Sequence, residues 1–345
     1  DFLGYTGAGA IPIGMANPDL KWQTTKKFNV GITSSFLGDR LNVNLDVYNE
    51  KTIDMLIDRS LPPSSGTTSV KANLGSQTSN GIEFSVWGKI IRTKDWEWTL
   101  SVNGLHSKTT INNISEAMKR MNEQNATGYT DGSVSVASSS PLFQYREGES
   151  PTAIYAVRSA GIDPATGREI FIKQDGSYTY TYDTKDQVAC GDTNPVMQGS
   201  LSSMLQYKNF SLTASFQYRF GGKMYNSTRA LKVENINPRQ NCDVRAFTDR
   251  WTKPGDVKPY IDIANATGNT SVYTDRFVEK DNELWLSSLY LQYNVPVTFL
   301  RKIHVQKLYV GIGTEDLFRI TSAKYERGTS YPYSRSVNMS ASPTF

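Results

Sequence analysis

Few side chains in this sequence could carry bond chemistry, and their spacing argues against it. His106 and His304 lie far apart, each without an acidic or cysteine neighbour at ligand spacing, so neither metal binding nor general-base work is expected of them. Cys190 and Cys242 are too few for a disulfide scaffold or a four-ligand zinc site. They fall in two different long segments; an oxidising compartment would let them bond to each other, and two free thiols are the alternative. Gly4, Gly7 and Gly9 make a GxxGxG, but no strand precedes it and no helix follows, so it is not a phosphate cradle. Asp256, Asp262, Asp275 and Asp281 lack the dense spacing of a calcium loop. The two NATG stretches, at 125–128 and 265–268, read as polar loop. The expectation is a protein that is not an enzyme, with no metal site and no cofactor.

Aromatic side chains in the long segments are better candidates, for binding. Segment 221–283 carries Tyr225, Trp251, Tyr260 and Tyr273 among several basic residues. The stretch QDGSYTYTY at 174–182 reads as a small hairpin with Tyr178, Tyr180 and Tyr182 in phase. A flat ring can cover the apolar face of a sugar or a peptide side chain while polar neighbours fix orientation. Each candidate has a plainer alternative: Trp251 anchors its own loop, and the tyrosine ribbon only stiffens the segment.

Positioning such loops is the task of strands. Net charge is +4, which implies neither a nucleic-acid footprint nor an acidic tail, so no nucleic-acid partner is expected. Apolar residues make up 38%, and no window approaches 18 consecutive apolar residues, so no transmembrane helix is predicted. The first residues lack a basic start and apolar core and read as a loop entered partway rather than a signal peptide. Period-two alternation, one apolar face and one wet face, recurs in nine runs. Phe28, Val30, Ile32 and Phe36 share a face; after the GDR turn so do Leu41, Val43, Leu45 and Val47. The same holds for 81–90, 96–104, 199–207 and 210–220, for two runs near 284–295 and 307–312, and for the final 337–345. A phase break at Ser287-Ser288 reads as a bulge.

Connections alternate strictly in length. Short ones fall at 38–40, 92–95, 208–209 and about 296–306; long ones at about 59–80, 109–196, 221–283 and 319–333. A soluble sandwich has no reason to gather its long loops at one end, whereas an outer-membrane barrel joins strands by tight periplasmic turns and long extracellular loops. With the apolar phase outward, Phe36, Trp96, Tyr207, Phe210, Tyr293 and Phe345 gather at the short-turn end as an interfacial girdle. Asn42, Asn44, Asp46, Glu83, Lys89, Gln217 and Arg219 then line the interior. The fold class expected is an all-β, antiparallel transmembrane β-barrel, embedded in outer-membrane lipid. Nine strands leave two open edges that lipid cannot satisfy, so they are read as part of a larger closed barrel.

Several long motifs, in order, resemble SusC/RagA-type TonB-dependent outer-membrane transporters. They are NPDLKWQTTKKFNVGITSSFLGDRLNVNLDVYNEKTIDML, NGIEFSVWGKIIRTKDWEW, SAGIDPATGREIF, FGGKMYN, DRWTKPGD, RFVEKDNELWLSSLYLQYNVP, LYVGIGTEDLF and YPYSRS. The resemblance implies a 22-stranded barrel occluded by an amino-terminal plug, of which residues 1–345 supply about the last nine strands, without plug or earlier strands. It further implies a SusD-like surface lipoprotein as lid, energy from the TonB complex acting through the missing amino-terminal part, and import of oligosaccharides or peptides. The tyrosine ribbon at 174–182 would then touch ligand or lid. A final aromatic closing an alternating strand resembles the signal read by the outer-membrane assembly machinery, which is the second role expected of Phe345. The sequence departs from the family pattern at Glu315-Asp316-Leu317-Phe318, where an NNLF-type segment is usual, at Pro343, and in a short 319–333 loop. Two other readings remain open: a surface β protein that binds a partner without energised import, and a soluble carbohydrate-binding β module.

Overall fold

The computed structural model describes residues 15–60, 69–73, 75–127, 141, 143–236, 243–265, 272–300, 305–323 and 334–345. Gly4, Gly7, Gly9, Cys242 and His304 lie outside the described residues. The strands, in chain order, begin with β1 (Thr24–Phe36), β2 (Leu41–Ile53), β3 (Leu56–Ser60) and β4 (Ser69–Asn73). Then come β5 (Gly75–Arg92), β6 (Trp96–Ile114), helix α1 (Glu116–Thr127), β7 (Ala153–Ile162), β8 (Glu169–Ile172), β9 (Tyr178–Thr179) and β10 (Gln187–Asp192). The remainder are β11 (Met197–Tyr207), β12 (Phe210–Tyr225), β13 (Val278–Asn294), β14 (Lys307–Glu315), β15 (Arg319–Thr321) and β16 (Val337–Thr344).

Nine of them form one antiparallel path, β1-β2-β5-β6-β11-β12-β13-β14-β16, with β15 added beside β13. These are the nine runs of alternation expected from the sequence, extended at the long-loop end; β6, for example, runs to Ile114. Neighbours along the path are also neighbours in sequence once the long connections are set aside, which is the up-and-down order of a barrel wall. The sheet is not closed: β1 and β16 each have one partner among the described residues.

Outward side chains are apolar. Phe28 is 69% exposed and Ile32 62%, values that would be costly in water across so many strands and are natural against lipid. One polar group on this face finds its partner within it: the Trp98 indole N–H donates to Ser203 Oγ at 2.9 Å. The short-turn end carries a continuous row in register, Trp96 opposite Tyr207, Tyr207 opposite Phe210, and Phe210 opposite Tyr293. Ring centroids lie 4.3 Å apart in the first of these pairs and 4.6 Å in the last. Phe36 stands exposed at the foot of β1 and Phe345 just past β16.

Turn chemistry explains the short connections. Leu37, Gly38 and Asp39 all adopt left-handed φ between β1 and β2, and Lys208 does so between β11 and β12. The bulge expected in β13 is present: Ser215 pairs with Ser288 and Phe216 with Leu286, leaving Ser287 as the extra residue. Its hydroxyl donates to Ser215 O at 2.8 Å, and Asp316, at φ 47°, donates its N–H to Ser287 O. Two details differ from the sequence reading. Residues 319–321 are strand rather than loop, held against β13 through Glu283, Leu284 and Trp285. Asn125–Thr127, read as polar loop, ends α1 instead, a helix started by Ser115, whose Oγ accepts from the Met118 N–H, and held down by buried Met118 and Met121.

Close approach of neighbouring strands depends on glycine opposite aromatic residues. Tyr218 lies on the outer face over Gly199, its register partner, and its hydroxyl donates to Asn103 O at 2.8 Å. A Cβ at Gly199 would collide with that oxygen and with the Tyr218 hydroxyl. Replacing Gly199 by leucine should therefore force β11 away from β6. The expected outcome is a full-length protein whose heat-modifiable folded band, on unboiled gels, falls to a small fraction of the wild-type amount.

Candidate functional site

The described residues of two long connections, 115–196 after β6 and 226–277 after β12, pack together beyond the end of the sheet. The first contributes a four-stranded sheet, β10-β7-β8-β9. The second wraps it with short helical turns at Ser227–Arg229, Ala230–Glu234 and Arg245–Thr248. Their shared core contains Ile154, Val233, Ala246, Tyr260, Tyr273 and Phe277, joined by Tyr225 from the end of β12.

Directional bonds lock the halves together. The Val157 N–H donates to Tyr273 O at 3.0 Å, and the Ser159 N–H to the Asp275 carboxylate at 2.9 Å. The turn Asp163–Gly167 receives Trp251: the indole N–H donates to Pro164 O at 2.9 Å, and the ring packs where a side chain on Gly167 (φ 69°) would stand. Arg250 donates to the carbonyls of Ala246, Val233, Glu234 and Ile261. Asp256 accepts from the Thr252 hydroxyl and from the N–H groups of Thr252 and Lys253. The segments DPATG and DRWTKPGD thus form two parts of one joint.

Arg276 crosses the same boundary. It donates to both Glu169 carboxylate oxygens, at 2.7 and 2.6 Å, and to Glu234 Oε1 at 2.6 Å. Both acids are buried. Burial opposes the Arg276 charge, yet Glu169 and Glu234 together raise its pKa. Burial also holds the Glu234 carboxyl above the usual carboxylate range despite that guanidinium.

An open cleft of about 290 Å³ lies over this ion cluster. Tyr180 and Tyr182 form its aromatic side, with Arg168, Asn235 and Asn265 as polar groups. Tyr180 is oriented from two directions: its hydroxyl donates to Asp163 Oδ2 at 2.9 Å, and the Arg168 guanidinium lies 4.7 Å from its ring centre. The Thr166 hydroxyl, the Ala165 N–H and the Tyr180 hydroxyl hold the Asp163 carboxyl below its ordinary pKa. Tyr182 packs edge-on against Phe171 and accepts the Tyr273 N–H. Flat rings, amides and one exposed cation suit a polyhydroxylated or peptide ligand.

The structure separates the aromatic candidates. Tyr180 and Tyr182 line the cleft, and Tyr178 stands 70% exposed at the hairpin tip. Tyr225, Trp251, Tyr260 and Tyr273 are each 9% exposed or less and serve the core of the loop body. Arg168, Asn235 and Asn265 were not singled out by sequence, because isolated polar residues in loops carry no periodic signal. Cys190 is a free thiol whose Sγ contacts Ala156 O, and burial raises its pKa, which makes it a poor nucleophile. His106 meets Val196 O through Nδ1, and no cluster of metal-ligating side chains occurs among the described residues. On the sheet's inner face, Asn44, Asp46, Glu83, Asn103 and Gln198 border a polar hollow of about 510 Å³.

The family model described as "TonB dependent receptor-like, beta-barrel" matches residues 2–252. TonB-dependent receptor P3 of Formosa agariphila is 24% identical over 328 residues, which cover 91% of this chain and 31% of that protein. TonB-dependent receptor SusC of Bacteroides thetaiotaomicron is 27% identical over 220 residues, 61% of this chain and 20% of the relative. Among solved structures, the RagAB peptide transporter shares the fold, with a TM-score of 0.70 at 22% identity over 90% of this chain and 33% of that one. The chain spans about a third of the length of the first of these relatives and of that solved chain.

Removing the Arg276 charge tests the loop body. Arg276→Gln would leave Glu169 and Glu234 buried and facing each other, at a cost of about 3–5 kcal/mol to local stability. Burial already holds the Glu234 carboxyl above its ordinary range, and without the guanidinium its folded-state pKa would lie further above the unfolded one. The folded loop would bind the extra protons, so its stability should be greatest in acid and fall as pH rises through the carboxylate range. Limited proteolysis should show rapid cleavage within 226–277 at neutral pH, slowed at pH 5, with the heat-modifiable barrel unchanged.

Proposed function

The chain belongs to the TonB-dependent receptor-like β-barrel family, and from that premise we propose that it is the carboxy-terminal wall and loop body of an outer-membrane nutrient importer. The observation that carries this reading is the nine-stranded antiparallel path with an apolar outward face, an aromatic row at the tight-turn end, and long connections at the other. The two edges left unpaired among the described residues support a larger closed barrel in which further strands pair with β1 and β16. Import by such a protein is binding and conformational work rather than bond chemistry, with energy delivered by the TonB complex.

A SusD-like surface lipoprotein as lid and an oligosaccharide or peptide as cargo are the finer parts of the proposal. The likeness to SusC and to the fold of the RagAB peptide transporter supports both cargo classes and selects neither. The Tyr180–Tyr182 cleft supplies the flat rings, amides and single guanidinium that either class would use, with Tyr178 at the hairpin tip as a further contact to ligand or lid. Phe36, Trp96, Tyr207, Phe210, Tyr293 and Phe345 are assigned to the periplasmic girdle.

Two measurements on the full-length protein in its own host test this. Uptake of labelled oligosaccharide or peptide pools should require the protein, the neighbouring surface lipoprotein and an intact TonB; uptake indifferent to TonB would overturn energised import. Tyr180→Ala combined with Arg168→Ala should weaken binding of the imported ligand about tenfold, the loss typical of an interface anchor, without lowering the amount of protein in the membrane. Unchanged affinity would remove the cleft from the ligand path.

A further inference from the structure

At the long-loop end of β1, β2, β5 and β6 the outward face changes character. Lys26 stands directly opposite Lys51, and Lys108 opposite Asn80. All three lysines are exposed and share the phase of Phe28, Val47 and Ile82. Like charges directly opposite each other destabilise a strand pair. None of the three makes an ion pair among the described residues; of the acids of these strands, Asp46, Glu50 and Glu83 occupy the inward phase, and Glu97, at the far end of β6, pairs with Lys89. Two unpaired lysines placed face to face want an anion from outside the chain.

Beneath them a groove of about 470 Å³ runs along the outer surface, with Phe28, Val30, Val47 and Ile82 as its apolar wall. Asn49 and Asn80, hydrogen-bonded to each other, border it with His106 and Lys108. Lys26 lies ten residues up β1 from Phe36. At about 3.3 Å per residue and a tilt near 40°, that is roughly 25 Å, the height of a barrel's apolar band. The lysines therefore meet the outer headgroups while the groove meets acyl chains. The cationic top is local: at the same separation from Phe210, β12 carries Phe220 stacked on Tyr218 instead.

Resting on the outer-membrane reading above, we propose that this face holds a phosphorylated, acylated lipid of the outer leaflet. Its phosphate bridges Lys26, Lys51 and Lys108, the Asn49 and Asn80 amides meet the polar linkage below, and one acyl chain fills the groove. A bare phosphate would leave the apolar wall unused, and a plain hydrocarbon chain would leave the lysines unpaired.

The test uses the full-length protein extracted from its own outer membrane in mild detergent, with co-purifying phosphorylated lipid counted by native mass spectrometry. Lys26→Gln, Lys51→Gln and Lys108→Gln together should lower retained lipid by about tenfold or more, since each such lysine contributes measurably to anionic-lipid attraction. Ile82→Trp, which fills the groove and keeps every lysine, should lower it independently and covers the case in which the triple variant fails to fold. Lys173→Gln with Lys253→Gln, in the loop body, should change nothing. Equal lipid in the wild-type, triple-glutamine and Ile82→Trp proteins would overturn the site, as would its displacement by millimolar inorganic phosphate. A protein that stayed monomeric without detergent would overturn the membrane reading itself, whereas unchanged lipid on a detergent-dependent barrel overturns this site alone.

Discussion

Inside a bilayer a peptide N–H or C=O has no water to turn to, so each must find a partner in a neighbouring strand. That requirement governs the main sheet. It explains why nine strands run antiparallel in near-sequential order with tight connections at one end, since each short turn delivers the chain straight to its next hydrogen-bonding partner. It explains why the bulge at Ser287 is closed at once by Ser215, Asp316 and Phe318 rather than left open. It also singles out β1 and β16, the two edges of the described sheet. Each offers a full row of backbone groups that only another strand can satisfy in lipid.

A different constraint holds beyond the membrane. There water is available, and the loops need their own core. The connections following β6 and β12 supply it jointly: neither could bury Tyr273, Phe277 or Trp251 alone. Arg276 adds a polar condition to that apolar one, because Glu169 comes from one connection and Glu234 from the other, and both are buried. A buried ion cluster of this kind is weak evidence for extra stability and better understood as fixing which surfaces meet. The two loops consequently pack as one unit at the long-loop rim of the sheet. The cleft is lined by Arg168 and Tyr180 of one connection and Asn235 of the other, so its shape depends on their relative placement.

Legibility in the sequence followed the physics of each region. Where one face meets lipid and the other meets a polar interior, alternation is enforced residue by residue, and Phe28 to Phe36 or Phe210 to Phe220 announce themselves. The aromatic row was readable for the same reason, because Tyr207 and Phe210 flank a two-residue turn that sets them opposite each other. The loop body obeys no period. Tyr225 and Tyr273 look like exposed aromatic binders in sequence and are core residues in space, since what buries them is a segment up to about a hundred residues distant. Tyr180 keeps its exposure because Asp163 and Arg168 hold its ring at the surface. Trp251 was the intermediate case: the surrounding RWTKPGD suggested an anchor, but its socket, the Asp163–Gly167 turn, could only be found by seeing both.

The inner wall shows how these two regimes meet. Along one row of register partners, Asp46, Glu83, Leu105, Gln198, Arg219 and Glu283 face the interior in succession. Toward the bulge the charges are consumed locally: Arg219 bridges Asp281 and Glu283, and Arg319 from β15 joins Glu283 as well. The cost of burying Glu283 is offset there by two guanidinium groups, which fastens β15 to the wall. At the other end of the row Glu83 borders the polar hollow with Asn44 and Asn103. The wall is thus stiffened by its own ion pairs beside the bulge and left open to water, or to a further interior segment, across β2, β5 and β6. Any part of the protein that docks inside the barrel would find its hydrogen-bonding partners on that side.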